Sequence, residues 1–194
     1  LSFTGGGGNT GNDNWGVRVV AGSVIQGGTA THSAVVSGTG GTSSLNLNRG
    51  VYVTGATITS LGADVQVSGQ GGGTGASASN YGVSVDSAGQ ITAGDAGTVT
   101  VLGTGGATTG PGGNLGVLVT DAGSAITSNS GAVSVSGIGA GTGDSGRGVQ
   151  VSNSATIKGA GIAPVTINGT GSASGSGTDN FGVLIGGGGA VTTV

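Results

Sequence analysis

The chain has 194 residues, of which 50 are glycine; aromatic residues make up 3%, charged residues 6%, and the formal net charge is -3. So small a stock of large side chains excludes a thick globular core, and the only cations, Arg18, Arg49, Arg147 and Lys158, are too sparse to neutralise a nucleic-acid backbone, so no nucleic acid is expected as a partner. No apolar run approaches the roughly 20 residues a membrane helix needs, so no membrane insertion is expected, and the lack of cysteine and methionine fits an oxidising, extracellular setting.

In chain order, Leu1-Ser2-Phe3-Thr4-Gly5 reads as a strand without its preceding segments, so the sequence is expected to open partway through a repeat. A phrase then returns six times. It runs Asn14-Trp15-Gly16-Val17-Arg18-Val19, then starts again at Asn48, Asn80, Asn114, Gly146 (glycine in place of asparagine) and Asn180, with steps of 34, 32, 34, 32 and 34 residues. Recurrence of this size marks units too small to bury their own apolar face, which must stack on their neighbours.

After each phrase comes a second apolar segment, centred in turn on Ile25, Ile58, Ile91, Ile126, Ile157 and Val191. A third follows, as in Val65-Gln66-Val67, Val99-Thr100-Val101, Val133-Ser134-Val135 and Val165-Thr166-Ile167, with the alternation of a strand buried on one face. A glycine-rich loop such as 103–113 closes the unit. The pattern predicts an all-β, right-handed parallel β-solenoid (β-helix) of about six coils of 32 to 34 residues, each with three short strands. It would be one array over 1–194: a partial coil 1–13, coils starting at 14, 48, 80, 114 and 146, and a partial coil 180–194. A β-propeller is the rival, but its blades take about 40 residues and four strands.

Stacked coils would place Val17, Val51, Val83, Val117, Val149 and Val183 in one interior column and Val19, Val53, Val85, Val119, Val151 and Ile185 in the next. Asn14, Asn48, Asn80, Asn114 and Asn180 would exchange amide hydrogen bonds between coils as a structural ladder. Glycines after the asparagines and between strands are expected to supply tight corners and positive φ. Glycine-rich stretches such as 137–143 lack the Gly-Lys-Ser/Thr and the helix of a phosphate loop, and read as spacing loops.

Few residues suggest chemistry. His32 is the only histidine and cannot anchor a zinc site alone, and serine and aspartate are too common for a triad around it to be informative. Asp86 and Asp121 follow adjacent phrases at nearly equal offsets and could stack to bind calcium or serve a polysaccharide lyase, although solvated turn aspartates are the plainer account; no other cofactor is expected. Two columns read as exposed. Trp15, Arg49, Tyr81, Leu115, Arg147 and Phe181 would form a mixed aromatic and cationic stripe able to contact surface glycans or another rod. Thr59, Thr92, Thr127 and Thr192 make a threonine column without the repeated Thr-x-Thr of an ice-binding face. Leu1, Phe3 and Val191 lie in the incomplete end coils, which show no cap, and are expected to mediate end-to-end self-association.

The succession Gly-Val-x-Val, Ile-Thr, Val-x-Val-x-Gly-x-Gly-Gly over nearly all of 1–194 resembles the repeats of very large bacterial surface proteins. These are the β-strand-repeat and filamentous-haemagglutinin-like adhesins and the passenger regions of autotransporters. The resemblance implies a long secreted right-handed β-helix serving adhesion, coats or filaments; the repeat here is longer than the haemagglutinin type, and no functional residues carry over. The expected role is that of a structural repeat segment of an extracellular bacterial filament, surface coat or adhesin, not an enzyme. The alternative is a carbohydrate-binding or polysaccharide-degrading β-helix.

Overall fold

The computed structural model describes residues 1–174 and 176–193; Val194, the last residue of the predicted array, lies outside them. The first trio of strands is β1 (Ser2–Gly6), β2 (Val17–Val19) and β3 (Val24–Gln26), the second β4 (Ala34–Thr39), β5 (Val51–Thr54) and β6 (Thr57–Ser60). Next come β7 (Val65–Gln70), β8 (Val83–Asp86), β9 (Gln90–Ala93), β10 (Val99–Thr104), β11 (Val117–Thr120) and β12 (Ala125–Ser128). The last six are β13 (Val133–Ile138), β14 (Val149–Ser152), β15 (Thr156–Gly159), β16 (Val165–Thr170), β17 (Val183–Ile185) and β18 (Ala190–Thr193).

Every third strand joins the same sheet. The orders are β1-β4-β7-β10-β13-β16, β2-β5-β8-β11-β14-β17 and β3-β6-β9-β12-β15-β18, three parallel sheets of six strands each. Equivalent residues are partners, for example Val51 with Val83 and Val83 with Val117, so the chain is a parallel β-solenoid and the propeller is excluded. The predicted interior columns are in place through the central coils, whereas in the end coils Val17 is half-buried and Val183 and Ile185 are 40% and 48% exposed. Val51, Val53, Ile58, Val65, Val83, Val85, Ile91, Val99, Val117, Val119 and Ile126 are fully buried. β-Branched side chains suit this interior because each stacks on its own copy one coil away, and each buried valine contributes on the order of 1.5–3 kcal/mol.

The glycines of the repeated phrase work differently from the expectation. Gly50, Gly82, Gly116 and Gly148 do not have positive φ. They face a second glycine column at the end of the first sheet, and a Cβ on Gly69, Gly103 or Gly137 would lie 2.0–2.1 Å from the carbonyl oxygen of Gly82, Gly116 or Gly148. Two backbones therefore meet with no side chain between them. Positive φ falls instead on the residue just before the phrase, Asp13 (64°), Leu47 (68°), Ser79 (59°), Gly113 (71°), Ser145 (58°) and Asp179 (63°), and, as expected, on turn glycines between strands such as Gly22 (79°), Gly55 (58°) and Gly123 (84°).

Beyond that seam the long loops continue the stack. Asp13, Leu47, Ser79, Gly113 and Ser145 donate their backbone N–H to Asn46, Ala78, Gly112, Asp144 and Thr178 one coil on, at 2.9–3.4 Å. The loops thus form a fin on the three-sided prism, laced coil to coil by the same kind of bond as the sheets.

Candidate functional site

The asparagines sit at the base of the fin: Asn48, Asn80 and Asn114 are at most 2% exposed, and Asn180 is half-buried. Asn14 Nδ2 donates to Asn48 Oδ1 at 3.0 Å, Asn48 Nδ2 to Asn80 Oδ1 at 3.0 Å and Asn80 Nδ2 to Asn114 Oδ1 at 3.1 Å. The same oxygens accept backbone N–H groups, from Asn48 to Asn80 and from Asn80 to Asn114. The run stops at Gly146. Asn114 Nδ2 turns to Thr108 Oγ1 at 2.8 Å, and among the described residues Asn180 accepts only the Gly146 N–H, at 2.8 Å, while its Nδ2 donates to Gly177 O. Asn180 is therefore a backbone cap and not a rung of the predicted ladder.

The stripe expected to be exposed is folded down onto the outer face of the second sheet. Leu115 is 4% exposed, Trp15, Arg49, Tyr81 and Arg147 are half-buried, and Phe181 is 46% exposed. What covers the sheet is an interleaving with a second set of residues, those at the outward centres of its strands: Arg18, Tyr52 and Ser84. The Arg18 guanidinium lies 4.2 Å from the Trp15 ring centroid and 5.7 Å from that of Tyr52; the Arg49 guanidinium lies 4.3 Å from Tyr52 and 4.9 Å from Tyr81. Coil by coil the two columns place Trp15 with Arg18, Arg49 with Tyr52 and Tyr81 with Ser84, so that each guanidinium lies against two rings. Sequence reading found Trp15, Arg49 and Tyr81 but missed Arg18 and Tyr52; their shared position two residues after the phrase's glycine was the available signal.

Asp86 closes this stack. Its carboxylate lies 3.9 Å from Arg49 Nη1 and accepts the Tyr52 hydroxyl at 3.2 Å. Trp15 Nε1, Arg49 Nε and Ser84 Oγ are buried without a hydrogen-bond partner among the described residues. A weaker copy of the motif sits further along, where Arg147 lies 3.7 Å from Asp179, donates to Gln150 Oε1 at 2.7 Å and lies 5.9 Å from the Phe181 ring.

The pairing of Asp86 with Asp121 does not form. Asp121 lies one register position further on, at φ 75°, where its carboxylate accepts the Ser87 N–H at 3.3 Å. The two carboxylates are spent on different partners, and among the described residues no group of three or more His, Cys, Asp or Glu converges as a metal site. His32 is exposed in a loop, its Nδ1 3.1 Å from Thr31 Oγ1. Thr59, Thr92 and Thr127 stack in register on the third sheet, Thr127 donating to Thr92 at 2.9 Å, but Lys158 interrupts the column before Thr192. Leu1, just before β1, and Phe3, on it, are 57% and 41% exposed, and Val191 is half-buried on β18.

Comparison of the chain with family models, with curated proteins and with solved structures finds no match. The fold class, a β-helical repeat array, therefore rests on the geometry above.

Proposed function

We propose that this chain is a structural stretch of a secreted rod belonging to a bacterial surface filament, coat or adhesin. One observation carries the reading: coil-to-coil bonding runs unbroken through three sheets and the loop fin, joining residues about one repeat apart. Each coil holds only its neighbours, so the array behaves as a stiff one-dimensional stack, about 29 Å long for six coils at about 4.8 Å each. The resemblance to bacterial surface repeats supports the cellular setting. Antibodies raised against the chain are expected to label intact cells and to decorate fibres in electron micrographs. Labelling confined to lysed cells would overturn the proposal.

A second reading, carbohydrate binding, is favoured by the ring and guanidinium stack from Trp15 to Tyr81, since aromatic faces pack against the apolar face of sugars. Glycan-array binding that disappears in Trp15→Ala and Tyr81→Ala variants would support it.

A further inference from the structure

The three sheets differ in charge. The second carries Arg18 and Asp86 on its strands and the third carries Lys158, whereas β1, β4, β7, β10, β13 and β16 hold no charged residue. The outward residues of this first sheet fall into three columns in unbroken register, and the middle one runs Thr4, Ser37, Ser68, Leu102, Ser136 and Asn168. Leu102, 47% exposed among short polar side chains, stands proud as the one large apolar group of that column. Next to it, around Ser68, is an open recess of about 190 Å³ bordered by Val35, Ser37, Gln66 and Thr100 and walled by Leu102.

Six strands at a spacing of about 4.8 Å and six residues at a rise of about 3.3 Å give this face roughly 600 Å². Two such faces would bury roughly 1,200 Å², enough for a specific interface, with no ion to strip of water. We infer that the face is covered by a second copy of this chain lying antiparallel, Leu102 of each rod seated in the recess of the other. A two-fold axis across the rods, midway between Ser68 and Leu102, sets Leu102 opposite the partner's Ser68, Ser37 opposite the partner's Ser136 and Thr4 opposite the partner's Asn168. Ile138, the other exposed apolar group of the face, then meets the partner's Thr39. Parallel rods at equal height would instead press Leu102 against Leu102 and hold the faces apart. Each further coil would add roughly 100 Å² per rod, so longer rods would pair more tightly. This pairing goes beyond the rod reading by giving the rod a lateral partner, and it is tested in solution, apart from the labelling of cells.

Sedimentation velocity of the chain over a rising concentration series is expected to show a two-chain species. Leu102→Lys should weaken its formation roughly tenfold or more by burying two ammonium groups. At dilutions where both are single chains, variant and parent should unfold at the same temperature, because Leu102 is half exposed. Thr59→Lys, in the third-sheet column that already holds Lys158, should leave pairing unchanged. The chain has no cysteine, so a short bis-maleimide reads the register: it should join a mixture of Thr4→Cys and Asn168→Cys chains but not Thr4→Cys chains alone, whose thiols lie about 24 Å apart along the axis. Joining of Thr4→Cys alone would overturn the antiparallel arrangement. A single-chain species at every concentration, or pairing that survives Leu102→Lys, would overturn the inference while the rod reading stands. Growth beyond two chains, indifferent to Leu102→Lys, would replace the face with end-to-end stacking.

Discussion

The coils that begin at Asn48 and Asn80 and the coil that begins at Gly146 solve one packing problem in two ways. In the first pair a buried amide links each coil to the next, and the loop position one coil on is bare: a Cβ on Gly106 would lie 2.8 Å from the Asn80 Cβ. At Gly146 the arrangement is inverted. The phrase has no side chain, and the loop residue one coil on is Ser172, whose Cβ lies 2.7 Å from where a Gly146 Cβ would be; Ser172 Oγ fills the gap and donates to Gly141 O. The sheets on either side do not notice, since β14 pairs in full register with both β11 and β17. Backbone ladders and valine columns therefore set the stack, while the asparagines seal the base of the loops.

The largest test of that division asks whether the glycine seam is uniform across both regions. Gly103→Ala and Gly137→Ala each push a methyl to 2.1 and 2.0 Å from a facing carbonyl, and both should lose about 3 kcal/mol or more in urea unfolding. Gly6→Ala, where nothing lies within 4 Å, should change little. Unequal losses at Gly103 and Gly137 would show that the two regions differ in their backbones after all.

Next in size are the asparagines. Asn80→Ala strips the Asn48 N–H and Nδ2 of a shared acceptor in a fully buried site and should cost about 2–4 kcal/mol. Asn180→Ala, at a half-buried site, strips the Gly146 N–H of its acceptor and Gly177 O of a donor and should cost about 1–2 kcal/mol. Equal costs would abolish the distinction between rung and cap. Gly146→Asn alone should destabilise by about 1–2 kcal/mol through collision with Ser172, and adding Ser172→Gly should return most of it. An additive double mutant would mean that the inversion is coincidence. The smallest effect concerns the left-handed residue that both regions share: Leu47→Asn should raise stability by about 1 kcal/mol, and Ser145→Asn by less.

Much of this was legible in the sequence because a stacked array writes its geometry as a period. Val51, Val83 and Val117 are partners because they sit at the same place in the repeat, and no knowledge of chain crossings is needed. The asparagine rungs were legible for the same reason. The glycines of the phrase misled because close backbone approach and left-handed φ both select glycine; the recurring pair of glycines in Gly103-Thr104-Gly105, with Gly103 in the inward register of Val99 and Val101, was the clue that one column lines a seam. Asp86 and Asp121 misled because their offsets from the asparagine, six and seven residues, are nearly but not quite equal: the strands that carry them are in register, so the one-residue difference leaves Asp86 at the end of β8 and Asp121 in the turn after β11. The cation and ring stack hid because its members alternate between two columns, and neither Trp15, Arg49 and Tyr81 nor Arg18 and Tyr52 forms a regular series alone.

The register of partners also bears on inheritance. Removing 80–113 would set Asn48 beside Asn114 and Val51 beside Val117, partners of the same kind as those they lost. A gene of such near-copies can gain or shed whole units by unequal recombination while every junction keeps contacts of the same kind, the stability changing by about one coil and its interface. The span of the molecule is then open to selection as a dimension separate from its chemistry.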